Sequence, residues 1–272
     1  MNVLKTELKA TDMGELSWVL RIQITSTDNG ITLSQTNFID KIRNCFSMQD
    51  WKPVSTPVYS KHQLKANENK DEHTDAMAYQ QSIRCLMYLV TGTRPDLLYT
   101  ITQISQFNSS PSTKQLTASK WLLGYVRGTK HRHHLDHWNY QLKLTAYTDA
   151  SCSNCFDTRW SLWGYNIQVG DPTISWRCRK QQSVAISTCK ARYMALAMTT
   201  NNHLWLKRGI KSMMKQDIQR ALFGDSNAAI DVANNSKFSD QSKHINVAYH
   251  FTPEQIEKEN VSISYVPLEE NL

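Results

Sequence analysis

From Leu142 onward the hydrophobic pattern runs strand, strand, strand, long helix, strand, helix, helix, strand, and few folds accept that order. Leu142 to Thr148 alternates apolar and polar side chains with the period of two that half-buried strands show. Leu162 to Val169 and Thr173 to Trp176 read as two further strands, and Ala191 to about Lys211 as the long helix. A short strand at Ala221 to Gly224, helices at Asn227 to Asn234 and about Val247 to Glu259, and a strand at Val261 to Val266 complete the series. Three strands followed by alternating helices and strands describe a mixed α/β sheet flanked by helices. Asp149 and Asp225 both fall just past strand ends, where such sheets place their ligands.

Carboxylates at the tips of neighbouring strands and helices can hold a pair of Mg²⁺ ions about 3.5–4 Å apart against a phosphodiester. Hard cations need oxygen ligands and net negative charge for this. Between the two aspartates, however, the start of the long helix carries Lys190-Ala191-Arg192, cations where that chemistry wants an acid. The outline is that of a nuclease site with its charge inverted.

At 272 residues the chain is long enough for two domains, and an apolar content of 40% suffices for packed cores. Eighteen consecutive apolar residues occur nowhere, and Met1 to Glu7 lacks the apolar core of a signal peptide. The expectation is an intracellular protein, in cytoplasm or nucleus, with no membrane partner. The six cysteines stand at 45, 85, 152, 155, 178 and 189 without a framework spacing, which predicts reduced thiols. The formal charge of +7 is unevenly spread. Thr158 to Arg220 holds eleven Lys/Arg against Asp171 and Asp217, whereas Ala221 to Leu272 holds three against eight acids. Leu97 to Leu135 holds five and no acid. Two basic blocks of this length suggest a polyanionic partner, although a solvated surface would carry the same charges.

The first half is organised differently. Leu16 to Gln35 reads as a β-hairpin turning at Thr27-Asp28-Asn29-Gly30, since Asn-Gly tolerates the positive φ of tight hairpins. A helix from Thr36 to Phe46 follows, then two proline breaks and a polar linker from Ser60 to Asp75. Three apolar faces mark three helices: Tyr79, Ile83, Leu86, Met87 and Val90; Leu97, Ile101 and Ile104, with Pro95 and Asp96 in the first turn; and Leu116, Leu123 and Val126, between Ser112 and Gly128. His131, His133, His134 and His137 could bind metal or phosphate, although they fall in what reads as a solvated basic loop, and a new domain begins near Tyr140.

Several motifs in order resemble one family. Ala146-Tyr147-Thr148-Asp149-Ala150, Ser175-Trp176, Gln181 to Thr188, Arg192-Tyr193-Met194-Ala195-Leu196, Asp225-Ser226-Asn227-Ala228-Ala229-Ile230 and Lys243-His244-Ile245 with Tyr249-His250-Phe251 closely resemble the ribonuclease H domain of copia-type LTR retrotransposon polyproteins. Gly14-Glu15-Leu16, Gly30 to Gln35, Ser55-Thr56-Pro57, Leu86 to Leu89, Thr93-Arg94-Pro95-Asp96 and Gly128-Thr129 are similar to the segment that joins the reverse transcriptase palm and thumb to that domain. The resemblance implies an α/β fold: a ribonuclease H-like mixed five-stranded sheet with flanking helices, preceded by a β-hairpin and a helical thumb or connection segment. It implies a reverse transcriptase fragment at 1–139 and a ribonuclease H-like domain at 140–272, cut short at its C-terminus. In the family this domain cleaves the RNA strand of RNA–DNA hybrids with Mg²⁺, as part of a larger polyprotein.

Carried over by position, the resemblance makes Asp149 and Asp225 the catalytic and metal-binding aspartates. The family's intervening glutamate is absent, and Arg192 stands in its place. The family's last aspartate would follow Glu270-Asn271-Leu272, and its polymerase motif would precede Met1. Arg21 and Arg84 stand where the family usually has glycine, Trp160 where it has arginine, and Asn246 where it has aspartate, which together suggest a decaying remnant. A unit charge about 4 Å from another is worth about 4 kcal/mol at an effective dielectric of 20. Replacing glutamate by Arg192 reverses one such charge, so Mg²⁺ binding is expected to be weak or absent and cleavage lost.

Arg177, Arg179 and Lys180 are the candidates for phosphate contact with an RNA–DNA hybrid or duplex, and Trp160 and Trp163 for stacking on it. The remaining tryptophans, Trp205 among them, read as core or linker packing. Cys152-x-x-Cys155 has the spacing of half a zinc site but no second pair to complete it. Asp157 and Glu269 could complete a weakly active metal site, and His250 could assist substrate contact or product release in an intact enzyme. A non-catalytic nucleic-acid-binding protein derived from a transposon is the alternative reading.

Overall fold

The computed structural model describes residues 14–28, 30–47, 51–59, 64–66, 75–132, 134–137, 143–152, 160–182, 185, 187–215, 217–234, 251–258 and 260–267. They build two sheets, each with its own core. In the first half, β1 (Trp18–Val19), β2 (Ile22–Thr27) and β3 (Gly30–Ser34) form an antiparallel meander. The expected turn lies between Thr27 and Gly30, which pair across it, with Asn29 outside the described residues. A second turn is a correction: Leu20, read as the end of a strand, forms with Arg21 a two-residue loop in which both residues have positive φ, 47° and 60°. That is the type I′ geometry that matches strand twist, here without the glycine or asparagine that usually signals it. A further correction concerns the histidine run, because His134–His137 is a strand, β4, paired antiparallel with β3 rather than a loop.

Four helices belong to this half: α1 (Thr36–Cys45), α2 (Ala76–Gly92), α3 (Leu98–Ser105), which follows a 3₁₀ turn at Pro95–Leu97, and α4 (Thr113–Gly128). Asp75 caps α2 by accepting from the Ala78 amide at 3.0 Å, and Ser112 with Gln115 forms a capping box on α4. Tyr79, Ile83, Leu86, Val90, Leu97, Ile101, Ile104, Leu123 and Val126 are buried together as the pattern predicts. Met87 is exposed, since one step of about 100° beyond Leu86 carries it off the stripe.

The second half is the expected ribonuclease H-like mixed sheet. Its strands are β5 (Lys143–Ser151), β6 (Leu162–Val169), β7 (Thr173–Lys180), β8 (Gln219–Gly224) and β9 (Ile263–Tyr265), in the order β7-β6-β5-β8-β9. The first three run antiparallel in succession, and β8 and β9 lie parallel on the other side of β5. Helix α5 (Thr188–Met214) packs on one face, joined by α6 (Asn227–Asn234) and α7 (Phe251–Glu257). Leu144, Ala146 and Ala150 of β5 and Trp163, Tyr165 and Ile167 of β6 share a buried cluster with Ala191, Met194 and Leu196 of α5. Trp163 is therefore a core residue and cannot stack on a nucleic acid, while Trp160 is partly exposed. Trp205 departs from expectation the other way, being 71% exposed on the outer side of α5.

The opposite face of the sheet meets the first half. Trp176 Nε1 donates to the Val90 carbonyl at 2.8 Å, and Thr102 Oγ1 donates to the Cys178 carbonyl at 3.4 Å. Between them lies a cavity of about 500 Å³ reaching from Asp96 and Tyr99 to Tyr147, Asp149 and Gly164. No helix among the described residues is long and apolar enough to cross a membrane.

Candidate functional site: two aspartates and a guanidinium

Strand pairing brings the two aspartates together. Thr148 of β5 pairs with Gly224 of β8, so Asp149 and Asp225, each one residue further on, leave adjacent parallel strands side by side. Asp225 follows its strand as expected, whereas Asp149 lies inside β5, which continues to Ser151. The reason is the partner strand: β6 keeps pairing past Asp149, as far as Ser151 with Leu162. Opposite Asp149 on β6 stands Gly164, where an added Cβ would come within 3.1 Å of the Arg177 carbonyl.

The third corner is Arg192. Ser187 caps α5, its hydroxyl accepting from the Lys190 amide at 3.1 Å, and this fixes the helix start beside the strand ends. From the second turn the Arg192 guanidinium reaches both acids, Nη2 lying 2.8 Å from Asp225 Oδ2 and Nε 3.7 Å from Asp149 Oδ1. Both contacts are ion pairs, the first close and the second too long for a hydrogen bond. Asp149 Oδ1 instead accepts from the Ala150 amide at 2.6 Å. The Asp225 side chain is 5% exposed, Asp149 47% and Arg192 33%.

Burial pushes the Asp225 carboxyl above the ordinary carboxylate value, and the negative charge of Asp149 pushes it further. Arg192 pulls in the opposite direction without cancelling the two. The donors present do not fit a divalent ion. Two carboxylates are shared with a fixed cation that would repel it, and among the described residues no group of three or more His, Cys, Asp or Glu could hold a metal. Asp157, Glu269, Cys155 and His250 lie outside the described residues.

The three basic candidates lie along β7, the edge strand. Register places Arg177 level with Tyr165 and Thr148, and Arg179 level with Trp163 and Ala150, so these two flank the position of Asp149. They stand two strands away, roughly 10 Å at the usual spacing of sheets. By strand alternation Arg177 and Arg179 share the face of Thr148 and Ala150, the α5 side, whereas Lys180 shares the face of Asp149. The chain thus sets Lys180 on the face of Asp149 and turns Arg177 and Arg179 to the opposite one.

Sequence motifs had flagged Thr93-Arg94-Pro95-Asp96 and Gly128-Thr129 without giving them work. The structure joins them. Arg94, 2% exposed, donates from Nε and Nη2 to the two oxygens of Asp96 at 2.9 and 2.8 Å, and from Nη2 to Thr129 Oγ1 at 2.6 Å. Tyr125 donates its hydroxyl to Asp96 Oδ2 at 3.1 Å. Burial raises the Asp96 carboxyl, but Arg94, Tyr125 and Arg132 together outweigh it and hold it below the ordinary value. This clamp positions the 3₁₀ turn that borders the cavity. His203 was not singled out at all; it is buried on α5, with Nε2 3.3 Å from the Leu144 carbonyl.

Strand order and the long helix across the sheet define a ribonuclease H-like domain, whose paired aspartates share the Arg192 guanidinium. No family model matches the chain. It is 31% identical over 267 residues to the retrovirus-related Pol polyprotein from transposon TNT 1-94 of Nicotiana tabacum, a match that covers 96% of the chain and 20% of that polyprotein. It is 32% identical to an uncharacterized mitochondrial protein of Arabidopsis thaliana, over 75% of the chain and 86% of that protein. A ribonuclease H domain from Mycobacterium tuberculosis overlays 48% of the chain and 86% of its own length at 11% identity and a TM-score of 0.33; the fold assignment rests on the strand order instead. The chain belongs to the family of retrovirus-related Pol polyproteins of copia-type LTR retrotransposons. It spans about a fifth of the length of the tobacco polyprotein.

Proposed function

We propose that this retrotransposon remnant holds an RNA–DNA hybrid or duplex by its phosphates and does not cut it. The observation that carries the reading is the 2.8 Å contact between Arg192 and Asp225, which puts a cation of the chain itself where hydrolysis of a phosphodiester needs metal-binding acids. Mg²⁺ belongs to the chemistry of the wider family; here the donor set favours the guanidinium. Arg177, Arg179 and Lys180 are the proposed phosphate contacts, reading charge and shape rather than sequence. Residues 1–139 are proposed as a reverse transcriptase fragment and 140–272 as the ribonuclease H-like domain, with the rest of a polyprotein as a partner where one is present.

The test incubates the full chain with a labelled RNA–DNA hybrid in Mg²⁺ or Mn²⁺. Salt-dependent binding with the RNA strand intact is expected. Cleavage that disappears in Asp149→Asn would overturn the reading, and so would failure to bind at low salt.

A further inference from the structure

The opposite end of the second sheet carries positive charge that the aspartate site does not use. Lys207 and Lys211 stand one turn apart near the C-terminal end of α5, with Arg208 beside them. Arg220, the second residue of β8, lies next to them, and with Lys143 of β5 it lines a hollow of about 810 Å³ that also includes Asn234 and Ser262. Among the described residues the acid in this neighbourhood is Asp217, which also lines the hollow and pairs with Lys211 at 3.4 Å. Arg220 is anchored by donating to the Asn260 carbonyl at 2.6 Å, so its charge is fixed in place but left without a counter-ion by that bond.

We infer that Lys207, Arg208, Lys211, Arg220 and Lys143 form a second contact site for the phosphodiester backbone of a nucleic acid, separate from the aspartates. Burial lowers the Lys207 ammonium below its ordinary value, and Arg220, Lys211 and Arg208 lower it further against the opposing pull of Asp217. Such a concentration of like charge is relieved by an anion. Lys207 lies fifteen residues beyond Arg192 on the same helix, about 22 Å at 1.5 Å per residue. No single phosphate can touch both ends, so a ligand that engages both must be a polymer. Asn234 and Ser262 add neutral hydrogen-bonding groups of the kind that accompany cations on phosphate oxygens. The inference rests on the nucleic-acid reading proposed above and adds where the strand continues.

The test compares three full-length proteins: the unaltered chain, Lys207→Gln/Arg208→Gln/Lys211→Gln, and Arg177→Gln/Arg179→Gln. Affinity for a labelled RNA–DNA hybrid is measured across a salt series, because each neutralised phosphate contributes about 0.9 to the slope of log affinity against log salt. The helix-end variant is expected to lose roughly two to three units of that slope. A slope that falls in the β7 variant and not in the helix-end variant overturns the second site while leaving the first reading intact. A chain that does not bind at all overturns both. Displacement of the hybrid by millimolar inorganic phosphate at constant ionic strength would instead make the site a pocket for the free ion and overturn the polymer contact. Should the triple variant fail to fold, acetylation of the unaltered chain decides: bound hybrid is expected to shield Lys207 and Lys211 from the reagent, and equal labelling with and without hybrid refutes the site.

Discussion

Replacing Arg192 by glutamate tests the charge argument at its centre. The guanidinium lies 2.8 Å from Asp225 and 3.7 Å from Asp149, so an ion between those acids would sit about 4 Å from it. Reversing one unit charge changes its interaction with a divalent ion by four unit pairs, about 16 kcal/mol as an upper bound at an effective dielectric of 20. Arg192 is one-third exposed, and solvent screening removes most of that. A surviving tenth, about 1.6 kcal/mol, still exceeds the roughly 1.4 kcal/mol of a tenfold change in affinity. In chelator, Arg192→Glu should melt below the unaltered chain, because three carboxylates then repel one another. Mn²⁺ should reverse this. At a concentration about one hundred times Kd, binding to the folded state contributes about 2.7 kcal/mol. For a chain of this size that is a rise of roughly 5–10 °C in Tm. The assay is thermal unfolding with and without Mn²⁺, backed by calorimetric titration of the ion. An equal rise in the unaltered chain, or a variant indifferent to millimolar Mn²⁺, would refute the reasoning.

Neutralising the same residue probes the acids rather than the ion. In Arg192→Gln, burial and Asp149 raise the Asp225 carboxyl with no guanidinium to oppose them. A raised folded-state value means that the folded form holds its proton longer than the unfolded form. Stability should therefore fall, as pH rises from the ordinary carboxylate value through the raised one, more in the variant than in the unaltered chain; parallel urea curves across that window would refute this. His203 acts with the opposite sign. Burial lowers it from 6.5 to about 4, so its contribution is intact above pH 6.5 and is lost as pH falls from 6.5 toward 4, with a ceiling of about 3 kcal/mol. His203→Gln should flatten that part of the stability profile, and a slope equal to that of the parent would count against the assignment. In the first sheet, Leu20→Asn with Arg21→Gly should stabilise the β1–β2 loop by about 1 kcal/mol or more, since a left-handed conformation costs a residue with a Cβ about 1–2 kcal/mol. An unchanged or lower urea midpoint would refute the strain.

What the sequence made legible depended on how locally each feature is encoded. The alternation from Leu142 announced β5, and the run of Tyr79, Ile83, Leu86 and Val90 announced α2, because each pattern repeats within one element. The Leu20-Arg21 turn was legible only through the resemblance, as Arg21 at a position where the family usually has glycine, since neither residue is of a kind that favours positive φ. Strand β4 was illegible for a different reason: His134–His137 becomes a strand through pairing with β3, about a hundred residues earlier in the chain. The tryptophans show the limit of residue type as a signal. Trp163 is buried because its register opposite Ala150 turns it toward α5, and Trp205 is exposed because α5 turns it away from the sheet.

The site was more legible than its surroundings because charge at a fixed topological position can be read without knowing distances. Pairing of Thr148 with Gly224 sets Asp149 beside Asp225 whatever stands at the third corner. Two acids so placed, one of them buried, repel each other and need a positive partner. A divalent ion could supply it from solvent, but Arg192 supplies it from the chain, through an ion pair that forms when α5 docks on the sheet. The guanidinium thus relieves the repulsion between the two acids without a bound ion. This separates fold from chemistry: the sheet, the helix and the paired acids can persist with the reaction gone, so strand order alone says nothing about cleavage. Activity has to be argued from the charge at residue 192, and that charge is positive.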